Sequence, residues 1–377
     1  HTRLLFEPTM DPPLALWGSY LVVALGVGDP CLYALDVTEP QSPKLLWTRS
    51  NFQDNDANSV EDYANAWAEL GYTWSAPRVV EDMTIDVNND GDTADVGDIN
   101  SDPVLIFGAG YDPEVEDANP DDITAMSSTS VTVNSASPPL YRTMGLGIFV
   151  VNALTGDIIF QAGPSAANPN DVTNNPLFGG TDLHTFKAVT GMDYAIPSDM
   201  LTMTDKGGTA TNRAYVGDTG GNVWRLDMAD SQPANWTVTK LADIASFAVD
   251  ASGNFSSARK FMYPPEVVYT RVSTGGSSDY DAVLLGTGDR EHPFDTTVQN
   301  RFYMFKDVNI GPSPISASGN YTESDLFDAT SNCIQDSSAC AGSGIASSSV
   351  AESTLDASSG WYIRLTEGEK VVTNAVV

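Results

Sequence analysis

Residues 86 to 98 read DVNNDGDTADVGD, with five aspartates, two asparagines and two glycines in thirteen positions. Like charges a few ångströms apart repel, so crowding them into one loop costs free energy that a cation or bulk water must offset. Alternate residues Asp86, Asn88 and Asp90 direct oxygens to one side, Gly91 permits a sharp turn, and Asp92 is placed to offer its backbone carbonyl. That order, Asp-x-Asn-x-Asp-Gly, is the first half of an oxygen-only Ca2+ loop. Positions nine and twelve of the scheme are Ala94 and Gly97, so a closing carboxylate has to come from Asp95 or Asp98. The competing reading is a solvated acidic turn, but acidity alone does not explain where the glycine stands.

No other segment offers comparable chemistry. The acidic run YDPEVEDANPDD at 111 to 122 lacks the spacing and reads as a solvated loop. GVGDP, GAGYDP and GDTGGNVW are glycine-rich, but none opens a helix in a βαβ unit, so they read as tight turns and not as pyrophosphate cradles. His1, His184 and His292 are too few and too scattered for a metal cluster, and no Gly-x-Ser-x-Gly elbow marks a nucleophile. Without a catalytic constellation, the chain reads as a non-enzyme. Trp74, Trp224 and Trp361 sit in apolar strand-like segments and read as packing residues. Cys333 and Cys340 enclose six residues in SNCIQDSSACAGSG and are expected to form a disulfide in an oxidising compartment, leaving Cys31 free and buried beside LYALDV.

Composition narrows the partners. Eighteen Lys plus Arg against 50 Asp plus Glu give a formal net charge of -32, which repels phosphate backbones and anionic headgroups, so no nucleic-acid partner is expected. The longest apolar runs, YLVVALGVG (20–28) and GIFVV (147–151), fall short of the roughly 20 residues of a membrane helix, and no membrane insertion is expected. The chain opens at His1 without an initiator Met or a signal-peptide pattern, and is expected to be an excised portion or a processed product.

The elements that must position the acidic loop are strands. Short apolar or alternating runs bounded by Gly, Asp and Asn recur throughout, and helical periodicity is confined to SVEDYANAWAEL at 59 to 70. Four segments repeat one scheme, an apolar strand, a glycine turn and a strand of alternating aromatic and aliphatic residues: 20–37, 103–112 with 147–160, 214–228, and 282–291 with 301–307. Such a hairpin cannot bury both faces alone, but copies arranged radially bury them against one another. The expected fold is therefore all-β, an irregular β-propeller in a single domain over 1–377. Two stretches rich in Ser, Thr, Asp and Ala, 113–139 and 316–353, read as surface insertions.

LYALDVTEPQSPKLLW, LGYTWSAPRVV, VLIFGAGYD, GIFVVNALTGDIIF, AYVGDTGGNVWRLDM, VLLGTGDREHP and GWYIRLTEGEKVV resemble, in that order, the C-terminal β-propeller of the PilY1 family of type IV pilus tip-associated proteins. The resemblance implies a modified propeller of about seven blades, with further strands before the first segment and after the last. It also implies a calcium loop at 86–98, closed by Asp95 by analogy with the family's shorter loop. The implied partners are minor pilins of the pilus tip complex and a host or abiotic surface. The implied location is extracellular, at the pilus tip or outer cell surface, reached through the periplasm. The alternative is a quinoprotein dehydrogenase propeller holding pyrroloquinoline quinone over calcium. Against it, the chain has no vicinal cysteines, and its acidic loop draws its ligands locally instead of from several blades.

Overall fold

Each of the four repeated segments forms the central hairpin of its own sheet. The computed structural model describes residues 2–5, 19–26, 30–51, 66–95, 97–100, 102–113, 144–164, 184–204, 210–244, 259–271, 279–296, 298–311, 317, 319–341 and 343–377. The first sheet runs β1 (Thr2–Leu5), β2 (Tyr20–Ala24), β3 (Cys31–Asp36), β4 (Lys44–Ser50) in simple antiparallel order. The second uses β5 (Arg78–Val80), β8 (Val104–Gly108), β9 (Ile148–Asn152), β10 (Ile158–Gly163) and β11 (Thr185–Ala188), in the order β11-β10-β9-β8-β5. Between β5 and β8, a ribbon of β6 (Thr84–Ile85) and β7 (Ile99–Asn100) stands apart from the large sheets.

The third sheet is again a meander, β12 (Leu201–Thr204), β13 (Thr211–Gly217), β14 (Asn222–Asp227), β15 (Thr237–Asp243). The fourth takes β16 (Glu266–Thr270), β17 (Tyr280–Gly286), β18 (Arg301–Asp307), β19 (Phe327–Asp328) and β20 (Gly360–Arg364), in the order β16-β17-β18-β20-β19. Among the described residues no sheet closes on itself. The architecture is an irregular, all-β propeller arc with little helix.

Strand β8 shows what stacks the sheets. Its side chains alternate, and both sets are buried: Leu105 and Phe107 pack with Val22, Leu32 and Trp47 of the first sheet, whereas Val104 and Ile106 pack with Val216, Trp224 and Leu226 of the third. The opposite face of the third sheet, through Tyr215, Val223 and Leu241, meets Val283, Tyr303 and Phe305 of the fourth. A buried ionic clasp accompanies that last interface. Arg213 Nε donates to Asp281 at 2.7 Å, Arg225 Nη1 to Asp307 at 2.6 Å, and the Tyr215 hydroxyl lies 2.9 Å from a carboxylate oxygen of each aspartate. Burial, with Asp307 and Asp281 alongside, pushes the Tyr215 phenol well above its ordinary value, so it stays a donor.

Where β8, β13 and β17 end, successive blades are tied by backbone hydrogen bonds. Gly145 N donates to Glu69 O, Ile196 N to Gly145 O, Thr219 N to Ala195 O, Phe261 N to Asp218 O and Gly288 N to Lys260 O. The turns must come close for this. At Gly110, φ is +106° and a Cβ would lie 2.4 Å from the Tyr72 carbonyl oxygen, so only glycine fits.

Part of the stretch 316–353 departs from a surface insertion. It supplies β19, which pairs in parallel with β20, and its Ser348–Val350 begins helix α1 (Ser348–Ala357), whose Ser347 side chain accepts from Val350 N. Phe327, Cys333, Cys340 and Ala351 bury themselves together beneath Leu355 and Trp361. Cys333 and Cys340 are disulfide-bonded, and Cys31 is buried and takes part in no disulfide among the described residues. Of the helical expectation at 59–70, only residues 66–70 are described, with a turn at 66–69; the rest lies outside the described residues, as does 114–139 of the first insertion. Tyr111 and Asp112, read as the start of a solvated run, are buried, since Tyr111 pairs with Tyr72 and Asp112 accepts from Met144 N. No described helix is long and apolar enough to cross a membrane.

Candidate metal centre

The acidic loop is the connection of the β6-β7 ribbon. Ile85 and Ile99, paired across it, are buried in the core between the second and third sheets, so both ends of the loop are fixed. Asp86 follows directly and is fully buried. Its Oδ1 accepts from Asp90 N at 3.1 Å, and its Oδ2 accepts from Gly91 N at 2.8 Å and from Gln232 Nε2 at 3.0 Å. Burial pushes the Asp86 carboxyl up, but the Gln232 amide and the backbone N–H groups of Gly91, Asp90 and Asn89 outweigh it and hold the group below its ordinary value. Asp98 braces the other end, accepting from Val87 N at 2.9 Å and from Asp95 N at 3.1 Å. Gly91 takes φ +105°, a conformation that side chains avoid.

This framing gathers the remaining acids. One carboxylate oxygen from each of Asp90, Asp92 and Asp95 lies within 4.8 Å of the other two, and all three residues are exposed. The Asn88 amide bridges Asp90 and Asp95, with Nδ2 3.2 Å and 3.1 Å from their oxygens. The Asn88 amide draws the Asp95 carboxyl down, but neighbouring Asp90 and Asp92 push harder, and the group sits above its ordinary value. Oxygens bound to one Ca2+ at about 2.4 Å are at most about 4.8 Å apart, so the three carboxylates are spaced to share one ion. With only oxygen donors, the cluster suits a hard cation.

Of the six residues singled out from sequence, Asp90, Asp92 and Asp95 therefore cluster, Asn88 borders them, and Asp86 and Asp98 accept backbone hydrogen bonds that shape the loop. Asp92 brings its side chain to the cluster, where the sequence suggested its carbonyl. Sequence reading missed the support from the β14-β15 connection. There Ser231 O accepts from Asp86 N, Gln232 donates to Asp86, and Ala234 N donates to Asn89 Oδ1. No local signal marks these residues, because they lie about 145 positions away.

No model of a known protein family matches the sequence. The solved structure of the Pseudomonas aeruginosa PilY1 C-terminal domain superposes with a TM-score of 0.50 at 18% identity, over 94% of this chain and 60% of that one. The chain has the fold of a PilY1-like C-terminal domain. A 63-residue stretch is also 40% identical to the type IV pilus biogenesis factor PilY1 of Pseudomonas aeruginosa (strain UCBPP-PA14), covering 17% of this chain and 4% of that protein. Within this PilY1-like domain, the acidic loop lies before the start of β8, and the glycine turn that carries Tyr111 lies past its end.

Proposed function

We propose that this chain is the calcium-binding propeller portion of a type IV pilus biogenesis protein, acting outside the cell at the pilus tip or outer surface. The observation that carries the calcium reading is the oxygen-only cluster of Asp90, Asp92 and Asp95 on a framed loop. The pilus reading is supported by the PilY1-like fold and by the short stretch of identity to the biogenesis factor. When bound, the ion supplies the positive charge that offsets the repulsion among the three carboxylates. Asp90, Asp92 and Asp95 would hold it, while Asp86 and Asp98 keep the loop closed. A turn of the Asn88 amide would exchange its N–H donor for an oxygen ligand. An ordered loop presents one defined surface to minor pilins, or to a host or abiotic surface, and the role follows as pilus assembly, control of retraction, twitching motility and adhesion.

The test is a strain carrying Asp90→Ala at normal protein level. Surface pilus number and twitching should fall or lose their response to calcium. Wild-type pili, motility and attachment with a metal-free loop would leave calcium without a part in the function. Given pyrroloquinoline quinone, calcium and alcohols, the purified chain should show no substrate-dependent reduction of an artificial acceptor.

A further inference from the structure

Past the end of β8, four segments distant in sequence build a second cluster of different chemistry. Trp74, from the segment before β5, is buried and stacks on Tyr111 with ring centroids 4.1 Å apart and planes 6° from parallel. Met262 and Tyr263, before β16, pack around them. Arg290, after β17, lays its guanidinium over the Trp74 ring at 4.0 Å from the centroid and 5.8 Å from that of Tyr263. Its side chain is 29% exposed, and its ion-pair contact among the described residues is the adjacent Glu291 at 3.8 Å, beyond hydrogen-bond distance. The neighbouring carboxylate is engaged elsewhere, since Asp289 holds Lys260 at 2.8 Å and His292 at 2.9 Å. Lys260 and His292, with burial working against them, keep the Asp289 carboxyl down at about 2, ionised and committed. Among the described residues, the Trp74 indole N–H is a buried donor without a partner.

A guanidinium lying on an indole face keeps its N–H edges free for a planar two-oxygen acceptor, and leaving a buried donor unmatched beside it costs free energy that such an acceptor would recover. We propose that Arg290 and Trp74 form a recognition site for a single carboxylate, with the half-buried Tyr263 as an apolar wall for the body that carries it and the buried Tyr111 and Met262 holding Trp74 in place from behind. The net charge of -32 disfavours polyanions, so the ligand is a lone carboxylate on an apolar body, either a small organic acid or the C-terminus of a peptide chain. The site does not depend on the calcium loop.

The experiment follows the Trp74 indole N–H resonance of the 377-residue chain, assigned by loss of its signal in Trp74→Phe. Expected is a saturable shift with N-acetylphenylalanine and with the peptide Ala-Ala-Phe, and none with their C-terminal amides. A tighter midpoint for the peptide assigns the site to a chain terminus, and one for the single residue assigns it to small acids. Arg290→Lys, which keeps the charge and loses the fork, should weaken binding at least tenfold, and Arg290→Gln should abolish it, both with wild-type melting curves. If either variant melts early, the amide controls on wild type still decide. Equal shifts from the amides, tighter binding of inorganic phosphate, or no shift from either acid would overturn the proposal.

Discussion

The acidic loop between β6 and β7 and the arginine-tryptophan stack past the end of β8 are built by opposite means. In the loop, every clustered acid comes from one run of the chain, and backbone N–H groups fold that run onto Asp86 and Asp98. In the stack, Trp74, Tyr111, Met262 and Arg290 meet only because whole blades are packed side by side. Local construction can adjust to an ion without moving the sheets, whereas a site shared among blades is only as rigid as their stacking. Anions repel within the first, and an aromatic face shelters a cation in the second.

The largest expected effect concerns the stacking itself. Arg225→Ala would remove the guanidinium that pairs with buried Asp307 and Asp227 and should cost about 3–5 kcal/mol, read as a lower midpoint in urea. Loop and stack should be lost in one transition. Separate transitions for the two sites would break the comparison, making them independent units and not parts of one cooperative arc.

Asp289→Asn probes the blade-built end through pH. Because the Asp289 carboxyl is held near 2, below its ordinary 3.8, it adds stability that is present above about pH 4 and lost as the pH falls through about 2. A shift of that size corresponds to about 2 kcal/mol. Wild type should lose that increment relative to the variant between pH 4 and 2 in parallel denaturation curves, and calcium affinity at pH 7 should be equal in the two.

Serine at both Cys333 and Cys340 should cost about 2 kcal/mol or less, since the bridge closes a short loop against the fourth sheet. Calcium and carboxylate binding should both survive. Gln232→Ala sharpens the comparison from the other side, because it tests how local the acidic loop is. Losing one hydrogen bond to Asp86 should weaken calcium binding by up to about tenfold, about 1.4 kcal/mol. No change would make the loop self-sufficient.

What could be read from sequence follows the same division. The Asp-x-Asn-x-Asp-Gly run and the four glycine-turn hairpins carry their logic within a few residues, and the hairpins stand as the centres of the four sheets. Gln232 could not be found that way, because its partner is 146 positions distant. Trp74 was legible only as packing, since the guanidinium on its ring arrives with a different blade. The stretch 316–353 looked like a surface insertion because its described buried positions are few, Ala351 and two cysteines beside Leu326 and Phe327, and because β19 pairs with β20 at only two positions.

Calorimetric titration of calcium into wild type and into Asp90→Ala/Asp92→Ala is the most direct test of the loop. Expected is one saturable site in wild type, weaker for magnesium, and no heat in the double variant, whose melting curve in chelator should match wild type. Unchanged calcium heat in the double variant, or none in wild type, would contradict a metal centre at Asp90, Asp92 and Asp95.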